Sequence, residues 1–346
     1  MKNQFISVLL PIVKADFQER TRRSSFLVTL CLVLYLGYAV NSGQILIRLG
    51  DYRGVYNSAW VGSLMAIVIS FFLGLIGFFL VKNTIERDER SGVGQILATT
   101  PITSIQYLFG KWLSNLAVLA ALVGLLALAA VFMQLIYREA ASIQLWTLLA
   151  PLLLIALPMM SLVAALAVFF ETVRWLKGGF GNLVYFFLFL SFLVVGVFLP
   201  QAPWFDGIGI TLVGSSMKVA AKMAFPAYDG SFVLAMIGGK PLATFVWPGL
   251  EWTVGLIAQR LAWIVVSVGI TLAGALFFDR FDPNKKQAAR SRPALQALDN
   301  VAMQPEIGQA ENNAKIMILT PISSRRFRHN FFRLVWLEFL LLIKGL

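Results

Sequence analysis

Long apolar runs, broken by short charged segments, dominate the chain. A bilayer core of roughly 30 Å needs about 20 apolar helical residues to cross it. Runs approaching or exceeding that length predict six spans, at about 26–40, 58–81, 112–136, 144–170, 182–200 and 261–278. The first is short, and Asn41 and Ser42 extend it. Backbone polar groups in lipid must be satisfied within their own segment, so these runs predict helices. The ten-residue alternating segments of a closed barrel are absent. The expected fold class is all-α and polytopic.

Within those limits no span carries Asp, Glu, Lys, Arg or His. Charges inside a membrane usually mark an ion or proton path. Their absence argues against an ion-coupled carrier, a pump and an intramembrane acid–base enzyme. The polar residues Asn115, Gln134 and Ser161 are expected to be helix-packing contacts. Energy for any work must then come from a partner outside the spans.

Residues 201–256 are apolar but interrupted by Pro203, Pro226, Pro241, Pro248 and several glycines. Lys218 and Lys222, four apart, share one helix face. Short helices in or on the outer leaflet are expected, with a pair of extra spans as the alternative. After the sixth span comes Asp279-Arg280, then a polar segment at 283–330 rich in Ala, Gln, Asn and Arg, which reads as a flexible linker. Residues 331–346 are expected to make an amphipathic helix at the inner surface. The pattern Leu334-Val335-Trp336-Leu337-Glu338-Phe339 echoes Ile12-Val13-Lys14-Ala15-Asp16-Phe17, as if a second six-span unit began there; chance explains it equally.

Composition strengthens the class. Hydrophobic residues make up 58% and charged residues 13%, against about half and a quarter in a soluble domain. Lys and Arg set the orientation. With the N-terminus in the cytoplasm, the inside segments carry sixteen and the outside segments seven. Trp60, Trp146, Trp204, Trp247 and Trp252 then fall near the outer interface, and Trp112 and Trp175 near the inner one. The net charge of +12 fits anionic lipid headgroups, and no nucleic acid partner is expected. Cys31 and His329 are the sole cysteine and histidine, which excludes an internal disulfide, Cys clusters and His-based triads. No Walker loop, Gly-x-Ser-x-Gly elbow or His-Glu-x-x-His helix occurs. No cofactor is expected, and the chain itself is not expected to be an enzyme.

The segment 82–111 carries the most information. It reads Glu86-Arg87-Asp88-Glu89-Arg90, then Gly92, then Gln95-Ile96-Leu97, then Thr100-Pro101, and Tyr107, Gly110 and Lys111 enter the third span. This predicts a charged helix end, a glycine break, a short amphipathic helix stopped before Pro101, and a new helix capped by Thr103 or Ser104. On its charges alone it is an ordinary solvated loop.

As a whole, the segment resembles the cytoplasmic loop of the type 2 ABC transporter permeases. Their pattern of Glu or Asp-Arg, an acid, Gly, then Leu-x-x-x-Pro and a following Gly-Lys is matched by Glu86, Arg87, Glu89, Gly92, Leu97, Pro101, Gly110 and Lys111. Val93-Gly94 departs from it, where Thr or a similar residue commonly follows the glycine. The resemblance implies a six-helix exporter-like transmembrane domain over residues 1–282. It has an N-terminal interfacial helix, re-entrant helices between spans five and six, and a coupling helix seated in a cleft of a separate ABC ATPase subunit. Glu86, Arg87, Asp88, Glu89, Arg90, Gly92, Gln95, Ile96, Leu97, Thr100 and Pro101 are the implied contact. The charges would hold register, and Ile96 and Leu97 would fill the cleft. A second permease half, from another copy or a fused unit, and membrane lipid are the other implied partners. The expected location is the plasma membrane, of prokaryotic inner-membrane type. The alternative is a non-transport membrane scaffold or subunit of a membrane complex.

Overall fold

A computed structural model of the chain describes residues 2–137, 139–140, 142–198, 203–236 and 242–278. The linker at 283–330, the helix at 331–346 and the Asp279-Arg280 exit lie outside the described residues. The elements are α1 (Lys2–Thr21), α2 (Ser24–Asn41), β1 (Ile45–Arg48), β2 (Tyr52–Gly54), α3 (Ser58–Val81), α4 (Thr84–Arg90), α5 (Val93–Thr99) and α6 (Ser104–Tyr137). Then come α7 (Leu145–Pro151), α8 (Leu157–Thr172), α9 (Gly179–Phe198), α10 (Ile210–Ala224), β3 (Val233–Met236), β4 (Ala243–Phe245) and α11 (Val254–Phe277). Among the described residues six helical segments are long and apolar enough to cross a membrane, and they correspond to α2, α3, α6, α7 with α8, α9 and α11. The protein is an all-α, polytopic membrane protein.

The second predicted span and α3 coincide. Several other limits need correction. Helix α6 begins at Ser104 rather than Trp112, α8 runs through Thr172 rather than stopping at Phe170, and α11 begins at Val254 rather than Leu261. Lys111, Glu171 and Arg260 therefore lie within spanning helices. All three are buried against polar partners, so none presents its charge to lipid. A charge beside an apolar run reads as a boundary in sequence, although the helix continues through it.

Helix α3 is the centre of the bundle. It is apolar on every side and buried along most of its length, as a helix surrounded by others must be. Small residues set how closely its neighbours approach. A Cβ at Gly62 would lie 2.3 Å from the carbonyl oxygen of Leu148, and one at Gly74 would lie 2.5 Å from the Phe189 ring. In the fourth span Pro151 and Pro158 fall in one helical run. The π-helical turn Leu152–Ala156 joins α7 to α8 there and absorbs the irregular hydrogen bonding that prolines impose.

One end of the bundle carries a small sheet structure absent from the expected short helices of 201–256. Strand β1 pairs antiparallel with β3, from Ile45↔Met236 to Arg48↔Val233. Strand β2 pairs parallel with β4, from Tyr52↔Ala243 to Gly54↔Phe245. Helix α10 is the one described α-helix between α9 and α11, and it is not among the candidate spans. Asp206 caps it: Oδ1 accepts Gly209 N–H at 2.9 Å and Oδ2 accepts Leu212 N–H at 2.8 Å. Arg260 of α11 donates to the Asp206 carbonyl and lies 3.6 Å from its carboxylate.

Trp60 and Trp247 are buried within the protein and pack edge to face with centroids 6.2 Å apart. Asn57 holds both segments, accepting Trp60 N–H and donating to the Trp247 carbonyl, each at 2.8 Å. Gln134 is a packing contact as expected, donating to Ser58 Oγ at 3.0 Å.

At the same end Arg53 grips Glu139 through two nitrogens, at 2.9 and 2.8 Å, and Tyr56 N–H adds a bond at 3.0 Å. The Arg53 hydrogen bonds hold the Glu139 carboxyl below its ordinary value of 4.5. A depressed carboxyl stabilises the fold above its unfolded pKa and loses that contribution as pH falls through the folded value. The pair is part-exposed, so it contributes at most about 1 kcal/mol. Thermal midpoints of wild type and Glu139→Gln in detergent are expected to differ slightly at neutral pH and to converge as pH falls below the ordinary carboxyl value of 4.5 and through the lowered folded value. A difference that persists into acid shows that the pair is not responsible.

Candidate functional site

The other end of the bundle carries the segment singled out by sequence. Helix α3 stops at Val81, and Asn83 takes a left-handed conformation with φ of 66°, so the chain turns sharply before α4. Asn83 gives α4 no side-chain cap. The cap comes from Glu171 at the end of α8. Its Oε1 accepts Thr84 N–H and Thr84 Oγ1–H, both at 3.1 Å, and its Oε2 accepts Ile85 N–H at 2.6 Å and Glu86 N–H at 3.4 Å. A carboxylate there satisfies orphan donors and meets the positive end of the helix dipole.

The opposite side of α4 is held by buried ions. Asp88 accepts from Tyr107 Oη at 2.8 Å and lies 2.7 Å from Lys111 Nζ. Lys111 Nζ also donates to Asp16 of α1 at 2.8 Å. Arg87 reaches Asp16 at 3.5 Å and Glu19 at 3.2 Å. Arg20 of α1 is buried and donates to the Val81 carbonyl at 2.8 Å, which caps the end of α3. Burial first, and then the charge of Arg87, push the Arg20 guanidinium down to about 10, so it stays charged at neutral pH.

Gly92 separates the two short helices at φ of +78°, with open space where a Cβ would stand. Helix α5 buries Gly94 and rests half-buried Leu97 on the core. It ends as its sequence predicts: Thr100 Oγ1 donates to the Leu97 carbonyl at 2.7 Å, ahead of Pro101. Thr103 then caps α6 in a reciprocal box, its Oγ1 accepting Gln106 N–H at 3.2 Å while its N–H donates to Gln106 Oε1 at 2.9 Å.

Seven of the eleven predicted contact residues separate into two groups, one engaged within the chain and one on the outer side of α4 and α5. Arg87 and Asp88 are engaged within the chain, and Leu97 packs on its own core. Glu86 and Arg90 pair along the outer side of α4. Gln95 is exposed, Ile96 is 67% exposed, and Val93 is exposed beside them. A pocket of about 280 Å³ adjoins α4, lined by Lys82, Asn83, Glu86, Glu89, Glu171 and Lys177. Sequence reasoning missed Arg20 and Glu171 as parts of this assembly, and Asp16 was visible only as part of a possible repeat. None has a local signal pointing to its distant partner.

Among the described residues no group of three or more His, Cys, Asp and Glu side chains is arranged to hold a metal. The arrangement offers no reacting group; it offers an apolar and polar edge on a rigid charged base. No curated protein and no solved structure matches the chain. A family model described as ABC-2 family transporter protein matches residues 10–206, from within α1 through α9, and takes in the whole charged loop. The chain belongs to the ABC-2 family of transporter membrane proteins.

Proposed function

We propose that the chain is the permease subunit of an ABC exporter, driven by a separate ATP-hydrolysing subunit that docks on α5. The supporting observation is the exposed edge of α5. Val93, Gln95 and Ile96 project from a helix whose base is fixed by α4 and the ions beneath it. An exposed isoleucine on such a base suits a cleft in another protein. Glu86, Arg90 and Gln95 flank it and set register, whereas Arg87 and Asp88 brace the loop from within. The N-terminus and this loop lie in the cytoplasm, and the strand-bearing end with α10 lies at the outer leaflet. The membrane is a plasma membrane, of prokaryotic inner-membrane type. A second six-span unit faces this one around the pathway. Exposed apolar side chains of α9 and α11, among them Leu183, Phe187, Val265 and Leu276, meet that unit or lipid.

Ile96 is a cleaner probe than Leu97, because Leu97 contributes to the chain's own core. Burying an isoleucine contributes roughly 1.5–3 kcal/mol, and a carboxylate in its place must be desolvated without a partner. Ile96→Asp is therefore expected to insert and fold as wild type does, and to lose ATPase activity co-purifying with the tagged chain by at least about tenfold. Retention of the ATPase at wild-type level by Ile96→Asp rules out docking on α5.

A further inference from the structure

Glu171 is 3% exposed and belongs to no motif of the loop. Its hydrogen bonds to 84–86 all run from α8 to a different part of the chain. Chain connectivity ties α4 to α3 on one side and to α5 on the other, with no route to α8. The left-handed turn at Asn83 interrupts helical continuity from α3 into α4. Lys82, at the same junction, donates to the Gly178 carbonyl at 3.2 Å and to Asn182 Oδ1 at 2.6 Å, beyond the end of α8. Residues 82–86 are thus seated on 171–182 by a carboxylate cap and an ammonium strut. Helix α8 packs in turn along α11, α6 and α3.

We propose that Glu171 is a positioning residue that yokes α4 to α8, so that displacement of the loop is delivered to α8 and α11. This rests on the loop being the docking element. Without the carboxylate, α4 stays braced to α1 and α6 through Arg87, Asp88 and Lys111, but its first turn loses its hydrogen bonds to α8, and movement of the loop is no longer delivered there directly. The carboxylate suits the task because one rigid group grips three successive N–H donors and a hydroxyl at once. Glutamine keeps the shape but loses the charge, and puts an NH2 donor where an acceptor is needed.

The test uses the full chain in lipid nanodiscs, without the ATPase, by hydrogen–deuterium exchange. In Glu171→Ala the amides of 84–86 are expected to exchange on the order of tenfold faster or more, with α3 and α11 unchanged. Glu171→Gln is expected to fall between, and it carries the test if the alanine variant fails to accumulate. Unchanged exchange at 84–86 in a folded variant overturns the yoke. A second readout addresses delivery. In a Cys31→Ser background with Leu276→Cys on α11 carrying a fluorophore, a non-hydrolysable ATP analogue is expected to change emission in the ATPase complex. Glu171→Gln is expected to abolish that change while still retaining the ATPase. Equal responses in both overturn the relay. Failure of any ATPase to co-purify refutes the docking reading separately, since the exchange experiment needs none.

Discussion

Replacing Lys111 with methionine is expected to destabilise the chain by about 3–5 kcal/mol, the range for removing one partner of a buried ion pair. The ammonium is 2% exposed and lies between two carboxylates, Asp16 and Asp88, at 2.8 and 2.7 Å. Its loss leaves two buried acids, with Arg87 at 3.5 Å from Asp16 as a poorly placed substitute. The cost comes from the carboxylates left behind, so removing their charge as well should recover much of it. Lys111→Met combined with Asp16→Asn and Asp88→Asn is therefore expected to be closer to wild type than the single variant. Thermal inactivation in detergent, followed by size-exclusion monodispersity, checks both. If the single variant melts with wild type, or the triple variant melts below it, the ions are not what holds α1, α4 and α6 together.

Asp206→Ala is expected to cost a similar amount, about 3–5 kcal/mol, at the other end of the molecule. The substitution removes both acceptors that cap α10 and takes the carboxylate from the buried Arg260 guanidinium, leaving it the bond to the residue 206 carbonyl and an Nε with no hydrogen-bond partner among the described residues. Helix α10 should then lift from its seat. In the Cys31→Ser background, Val213→Cys places a thiol at a fully buried position of α10. It is expected to resist a membrane-impermeant maleimide in the otherwise wild-type chain and to react once Asp206 is replaced. Arg260→Lys is not expected to substitute for arginine. A single ammonium cannot reproduce the fork that reaches both the Asp206 carbonyl and its carboxylate. Equal protection of the thiol with and without Asp206 removes the basis for this tether.

These two sites show where the sequence was legible and where it was not. The spans were readable because lipid demands long apolar helices, and α3 shows no ambiguity: Asn57 caps it and Lys82 ends it. The turns within 91–106 were readable too, since Gly92, Pro101 and the Thr103–Gln106 box act through local geometry. The charges Lys111, Glu171 and Arg260 were misplaced by the same hydropathy logic, which puts a boundary wherever charge appears. Each is tolerated inside a helix only because of a partner dozens of residues or more away. The strands were invisible for a related reason. Ile45–Arg48 is too short to carry a pattern, and its partner lies beyond eight α-helices in sequence. Burial of Trp60 and Trp247 follows from that same pairing, not from any property of tryptophan at an interface.

The pairing of β1 with β3 and of β2 with β4 also bears on biogenesis. During synthesis the N-terminal strands emerge long before 233–245, while chains elongate at roughly 5–20 residues per second. For roughly 10–40 s β1 and β2 then present unpaired edges, a state prone to wrong partners. The cap closes only after α3 through α10 have been placed, which makes it a late seal on an already assembled bundle. A chain in which an upstream span has inserted the wrong way round delivers β3 and β4 to the wrong compartment and leaves those edges open.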